Sequence, residues 1–167
     1  MQDTIARRLN TMASISDENA LRPIFNALAD RFSSQALSSA GLAIKTGGSA
    51  LAKTGSAAWY GVANGVPVSI AGSTDMPALT GINVSAGKYN VACFFIDSAG
   101  TVTALGGTEG ATLAAVKFPE FPVGKALVGF LIITYASAFT GGTTALDTAT
   151  TVYVNPIGAF DPNIILS

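Results

Sequence analysis

The sequence has no histidine, one cysteine and few charges: Asp, Glu, Lys and Arg make up 11% of its 167 residues. Without histidine, Ser-His-Asp and Cys-His catalytic sets are excluded, as are zinc sites of the Cys/His type. The single thiol, Cys93 in "NVACFFI", excludes a disulfide within the chain. Its apolar neighbours predict a small buried hydrophobe rather than a reactive nucleophile. The longest stretch without a polar side chain, Ala126 to Ile133, has eight residues. A spanning helix needs about twenty, so this run is not expected to cross a membrane as a helix. Its Val, Phe and paired Ile predict a buried strand. The opening "MQDTIARRLN" has no apolar core, so no secretory signal is expected there. A net charge of -1 without a Lys/Arg cluster argues against nucleic acid as a partner.

Ala, Gly, Ser and Thr fill the place of the missing charges, and aromatics are only 8%. A small, neutral exterior loses little hydration when it is covered. Net charge normally keeps proteins apart, so a chain this close to neutral favours an obligate oligomer or a coat component.

The charges are also unevenly placed. All four arginines, Arg7, Arg8, Arg22 and Arg31, precede Phe32, and "SSQALSSAGLAIKTGGSALAKTG" follows it. That shift divides the chain into an N-terminal segment, residues 1–36, and a β domain, residues 37–167. The segment is expected to form one or two short α-helices. Ile5, Leu9 and Met12 share one helical face. Ser16 is positioned to cap a second helix, with Asp17 and Glu18 at its positive end. Leu21, Phe25, Leu28 and Phe32 continue at helical spacing, and Pro23 marks a start or a kink. Helices of this length are marginal alone in water. Their stripes need a partner, either the chain's own β domain or another subunit. The separate composition and the Ser/Ala/Gly joint favour another subunit.

From Gly41 onward the signals are β. "GLAIKTGG" and "SALAKTG" look like an irregular repeat. Asn64-Gly65 lies between two apolar runs, the signature of a tight hairpin turn. Tyr89–Ile96, the turn "DSAG" and Thr101–Leu105 predict a second hairpin. "KALVGFLII" reads as a central strand and "TTVYVN" as another. Pro119 and Pro122 predict an extended, unpaired approach to the central strand. The fold class is therefore mainly β, an antiparallel β-sandwich or barrel preceded by the helices.

The carboxylates of the β region, Asp75, Asp97, Glu109, Glu120, Asp147 and Asp161, include several at ordinary turn positions. "GGTEG" at Gly106–Gly110 lacks the Gly-Lys-Ser/Thr of a phosphate loop, and no EF-hand loop is present. No catalytic residue, cofactor or metal ligand is assigned, and no enzyme is expected. Trp59-Tyr60 would suit a sugar platform, but core filling is the stronger reading of Trp59. The tail "AFDPNIILS" ends in Ile164, Ile165 and Leu166, three large hydrophobes that must join the chain's own fold or dock on a neighbour.

"GKYNVACFFIDSAGTVTALGGTEG", "FPEFPVGKALVGFLII" and "FTGGTTALDTATTVYVNPIGAFDP" together resemble bacteriophage capsid decoration proteins of the cement or head-fibre kind, with related tail-fibre-like β modules. The resemblance covers roughly the carboxy-terminal half. It implies a virion protein, often trimeric, that sits over junctions between capsid subunits. The expected partners are then further copies of the chain, as a homotrimer, and the major capsid protein, with no nucleic acid and no membrane. The expected interface is Ile5, Leu9, Met12, Leu21, Phe25, Leu28, Phe32, Ile164, Ile165 and Leu166. The alternative is a tail or baseplate adhesin that binds host surface glycans.

Overall fold

The computed structural model describes residues 32–162, together with Arg22, Phe25, Asn26, Ala29 and Leu166. Eleven strands follow in order: β1 (Gln35–Ala36), β2 (Ala43–Ile44), β3 (Ala52–Lys53), β4 (Trp59–Ala63), β5 (Val66–Ile70), β6 (Asn83–Val84), β7 (Tyr89–Ile96), β8 (Val102–Gly106), β9 (Ala126–Thr134), β10 (Phe139–Thr140) and β11 (Thr150–Val154). All the pairings between them are antiparallel. They form a four-stranded sheet in the order β11-β9-β7-β8, a three-stranded sheet β1-β4-β5, and two-stranded sheets β10-β6 and β2-β3. The fold is mainly β, with antiparallel sheets packed on one another, as the sequence predicts.

Local chemistry accounts for the hairpins. Asn64 and Gly65 both have positive φ, 52° and 76°, which a two-residue turn between twisted strands requires, and β4 and β5 pair across them. At the β7–β8 turn the Asp97 carboxylate accepts the N–H groups of Ala99 and Thr101 at 3.0 and 2.9 Å. That side-chain bond fixes the turn before the strands meet. The irregular repeat also finds a structural use: its two halves supply β2 and β3, which pair with each other.

The apolar run of β9 is buried because the four-stranded sheet is covered on both faces. Alternate residues Ala92, Phe94 and Ile96 of β7 enter a core shared with Trp59, Ala63, Ile70, Val84 and Phe139 from the other sheets. The intervening Val91, Cys93 and Phe95 enter a second core on the opposite face. On β9 the register shifts opposite Phe94 and Phe95: Phe94 pairs with Gly129 and Phe95 with Leu127. Val128 is the extra residue of a β-bulge. Ala126 and Val128 face the first core before it, and Leu131 and Ile133 after it. An unbroken alternation would have sent Leu131 and Ile133 to the other face.

The second core is closed by loops. Pro119 and Pro122 flank an unpaired stretch, as expected, and it delivers Phe118 and Phe121 over the sheet. Phe118 meets Phe130 edge-on at 5.0 Å between ring centroids, and Phe121 meets Phe95 at 4.9 Å. Phe160 packs against Phe118, Phe121 and Phe130. Edge-to-face pairs of this kind add about 0.5–1.5 kcal/mol to the area they bury.

The predicted N-terminal helices are not established. Ile5, Leu9, Met12, Leu21 and Leu28 lie outside the described residues. Arg22, Phe25, Asn26, Ala29, Phe32 and Ser33 carry helical backbone, but the only continuous helical element among the described residues is a 3-10 turn at Leu113–Ala115. The β body begins at Gln35, slightly before the expected division, because Gln35 and Ala36 pair with Val62 and Gly61.

Trp59 is fully buried. Its ring lies over Gly61 on the same strand, where an added Cβ would come within 2.3 Å of the Trp59 Cη2 atom. Its indole N–H has no hydrogen-bond partner among the described residues. An unmade bond of this kind costs about 1–3 kcal/mol, which the burial of the ring offsets. Gly61→Ala is expected to displace the indole and destabilise the fold by about 1–3 kcal/mol, measured as a lower urea midpoint with an unchanged slope.

Candidate functional site

Several charged side chains of the β body tie its turns and loops. Glu109 lies between β8 and the 3-10 turn. It accepts the Ser85 N–H and hydroxyl, each at 2.9 Å, and the Lys88 ammonium at 2.6 Å. Ser85 and Lys88 bound the turn between β6 and β7, so one carboxylate staples two loops. The Lys88 hydrogen bond, helped by the two from Ser85, lowers the Glu109 pKa from the ordinary 4.5 to about 2. Asp75 meets Lys45 at 2.5 Å across an exposed loop pair, and the Asp147 carboxylate accepts the Gly48 N–H at 2.7 Å. These are structural uses, in line with the turn positions read from the sequence. Among the described residues no group of three or more His, Cys, Asp or Glu side chains is placed to hold a metal.

Cys93 is fully buried in the second core, as expected, and desolvation pushes its thiol pKa up. A thiol held protonated in this way is a poor nucleophile. Trp59, buried in the first core, has no face to offer a sugar, whereas its neighbour Tyr60 is 56% exposed.

Beside Glu109 an open groove of about 430 Å3 is lined by Gly81, Ile82, Asn83, Asn90, Gly106, Gly107 and Thr108. Asn90 is nearly buried. Its amide donates to the Asn83 carbonyl at 3.3 Å, and the Asn83 side chain accepts the Gly141 N–H at 3.3 Å. The groove is thus lined by glycines, Ile82 and two amide side chains. The sequence singled out "GGTEG" only as a turn; the groove itself forms where that stretch meets two other segments, residues 81–83 and Asn90.

The predicted interface residues part company in the structure. Phe25 and Phe32 are exposed, Phe32 by 63%. Leu166 instead is buried in the chain's own second core, beside Phe118, Phe121 and Phe160. Of the two fates the sequence leaves open for it, joining the chain's own fold or docking on a neighbour, the structure shows the first. Ile164 and Ile165 lie outside the described residues.

Sequence reasoning missed the three-stranded sheet as a surface. Its inner face carries Trp59 and Ala63 into the core. Its outer face presents Tyr60, opposite Ser69, and Val62, opposite Gln35 and Pro67. Leu37, 56% exposed, joins it by donating its N–H to the Tyr60 carbonyl. Residues 32–44 and 54–74, which supply all three strands, contain no Asp, Glu, Lys or Arg. That signal was present in the sequence, but only the pairing of the two stretches makes it one face. No helix among the described residues is long and apolar enough to cross a membrane.

Compared with family models, curated proteins and solved structures, the chain matches none. The likeness to capsid decoration proteins therefore rests on the segments quoted above.

The Glu109 staple has a pH dependence of known sign. Its folded pKa is depressed, so its contribution is complete above the unfolded value of about 4.5 and is lost as pH falls toward 2. Wild type is expected to be more stable than Glu109→Gln at pH 7, with the difference shrinking across that acid window. Urea denaturation of both proteins at several pH values measures it.

Proposed function

We propose that the chain is a structural virion protein, a capsid decoration or cement protein. It would act as a homotrimer bound over junctions between major capsid subunits. The observation that supports this best is an apolar exterior that the chain leaves uncovered. Phe25 and Phe32 are exposed, and so are Leu37 and Tyr60 of a sheet region whose strands carry no charge. Interface cores are depleted of charge and enriched in aromatics. A surface of this kind binds by being buried, and symmetry multiplies each contact around a shell. Glu109, Asp97, Asp147 and Asp75, committed to turns and loops, suit a component whose work is mechanical.

The purified protein is expected to sediment as a trimer and to bind heads that lack it. Phe25→Asp with Phe32→Asp should weaken association at least tenfold and leave the β circular dichroism intact. A stable monomer indifferent to capsids would end the proposal.

The groove beside Glu109 favours a second reading, an adhesin for host glycans. Amides, glycine backbone and one apolar side chain, Ile82, can meet the hydroxyls and C–H faces of a neutral sugar. In that case a glycan array shows binding that Asn83→Ala removes; an array blank for wild type counts against it.

A further inference from the structure

The two larger sheets have four edge strands, and three of them are guarded. Gly158 bridges β1 and donates its N–H to the Ala36 carbonyl at 2.7 Å. Pro67 removes an N–H from β5, the other edge of the three-stranded sheet. In the four-stranded sheet, β8 is continued past its end by a bridge between Thr108 and Lys117, and the Lys125 ammonium donates to its Thr103 hydroxyl at 3.3 Å. Covering chain, proline and lysine are the devices by which a sheet avoids pairing with other chains. The fourth edge, β11, lacks them. Its five residues, Thr150–Val154, are all strong β formers. Residues 148–160 contain no Asp, Glu, Lys or Arg, and Pro156 lies beyond the strand. Among the described residues β11 pairs with β9, and no backbone bond of residues 150–154 runs to its other side.

The fold holds this edge ready. The Leu146 N–H donates to the Ser49 carbonyl at 2.9 Å, and the Thr151 hydroxyl to the Leu146 carbonyl at 2.9 Å. Past the other end, the Asn155 side chain accepts the Leu42 N–H at 2.8 Å. Both ends of the strand are thus tied, and Val152 at its centre is 51% exposed. Alternate N–H and C=O groups of an edge strand point away from its partner at strand spacing, so the occupant that meets them in register is another extended strand. A second β11 has the right chemistry. A two-fold axis normal to the sheet sets two copies antiparallel and keeps each residue on its own face. Overlap of all five residues places that axis at Val152. Val152 then lies opposite its own counterpart, Thr151 opposite Tyr153, and Thr150 opposite Val154. No pair brings like charges together, and Thr151 with Tyr153 is a β-branched–aromatic pair of the kind that stabilises sheets.

We propose that β11 pairs with β11 of a second copy, antiparallel and centred on Val152, so that two four-stranded sheets become one continuous sheet. The contact is isologous and two-fold. It is therefore separate from the three-fold association proposed above, and within such an assembly it joins a chain of one trimer to a chain of the next.

Val152→Cys tests it, with Ile157→Cys as the control. Buried Cys93 leaves the introduced thiol as the one a short bismaleimide reaches in the folded protein. Residues directly opposite in an antiparallel pair have Cβ atoms about 4.5–5.5 Å apart, whereas the two Ile157 positions lie about 30 Å apart across the same axis. Ile157 is 63% exposed, more than Val152, so random collision favours the control. Val152→Cys is expected to give a covalent dimer and Ile157→Cys almost none. Thr150→Cys mixed with Val154→Cys should link to each other more than either links to itself. Equal linking of Ile157→Cys, or a Val152→Cys protein that stays unlinked at high concentration, would overturn the proposal. If wild type sediments as a trimer while Val152→Cys stays unlinked, the strand pairing alone fails; a linked dimer from a wild type that forms no trimer supports the pairing and counts against the trimer. As a check independent of linking, Val152→Lys sets like charges opposite one another at an exposed position. It should raise the dissociation constant of the two-fold contact, measured by sedimentation, roughly tenfold or more with unchanged circular dichroism; no change would count against the contact.

Discussion

The structure depends on a single constraint: the β7–β9 pair is apolar on both faces and must be covered twice. A strand that alternates polar and apolar residues needs one cover, which a second sheet provides. Here β7 is buried at every residue from Asn90 to Ile96. The smaller sheets supply the first cover. The second comes from chain without regular pairing, which carries Phe118, Phe121, Phe160 and Leu166 into place. The bulge at Val128 reconciles β9 with this arrangement, since it keeps Leu131 and Ile133 on the first core while Phe130 remains on the second.

That solution shapes the exterior. With large hydrophobes committed to two cores, the surface is left to Ala, Gly, Ser and Thr, and charges are used where a loop needs tying. Glu109, Asp97 and Asp147 each hold backbone or a neighbouring turn, and Asp75 tethers a loop through Lys45. Among the described residues the large hydrophobes left exposed include Phe32, Leu37 and Tyr60, and also Val123, Val152 and Ile157.

Much of the fold was legible in the sequence where a local rule acts. Asn64-Gly65 specified one hairpin through its positive φ angles, and Asp97 specified another through its side-chain bonds. The Ala126–Ile133 run read as a buried strand because its length suited a sheet and not a membrane. The candidate surfaces were less legible. The sequence leaves Leu166 to join the chain's own fold or to dock on a neighbour, and only the structure places it in the second core. The glycine- and amide-lined groove showed only as the turn "GGTEG", since residues 81–83 and Asn90 join it from elsewhere in the sequence.

The sequence alone determined the class of the protein: β hairpins closed by Gly and Asx turns, no histidine chemistry, and an exterior almost without charge. These follow from the side chains and their nearest neighbours. The tertiary structure decided which apolar residues are spent inside and which are left outside. Trp59 and Tyr60 are adjacent, and only the sheet that faces one and not the other sends the first into the core and the second into solvent. Burial is settled by partners distant along the chain, and no local pattern contains them.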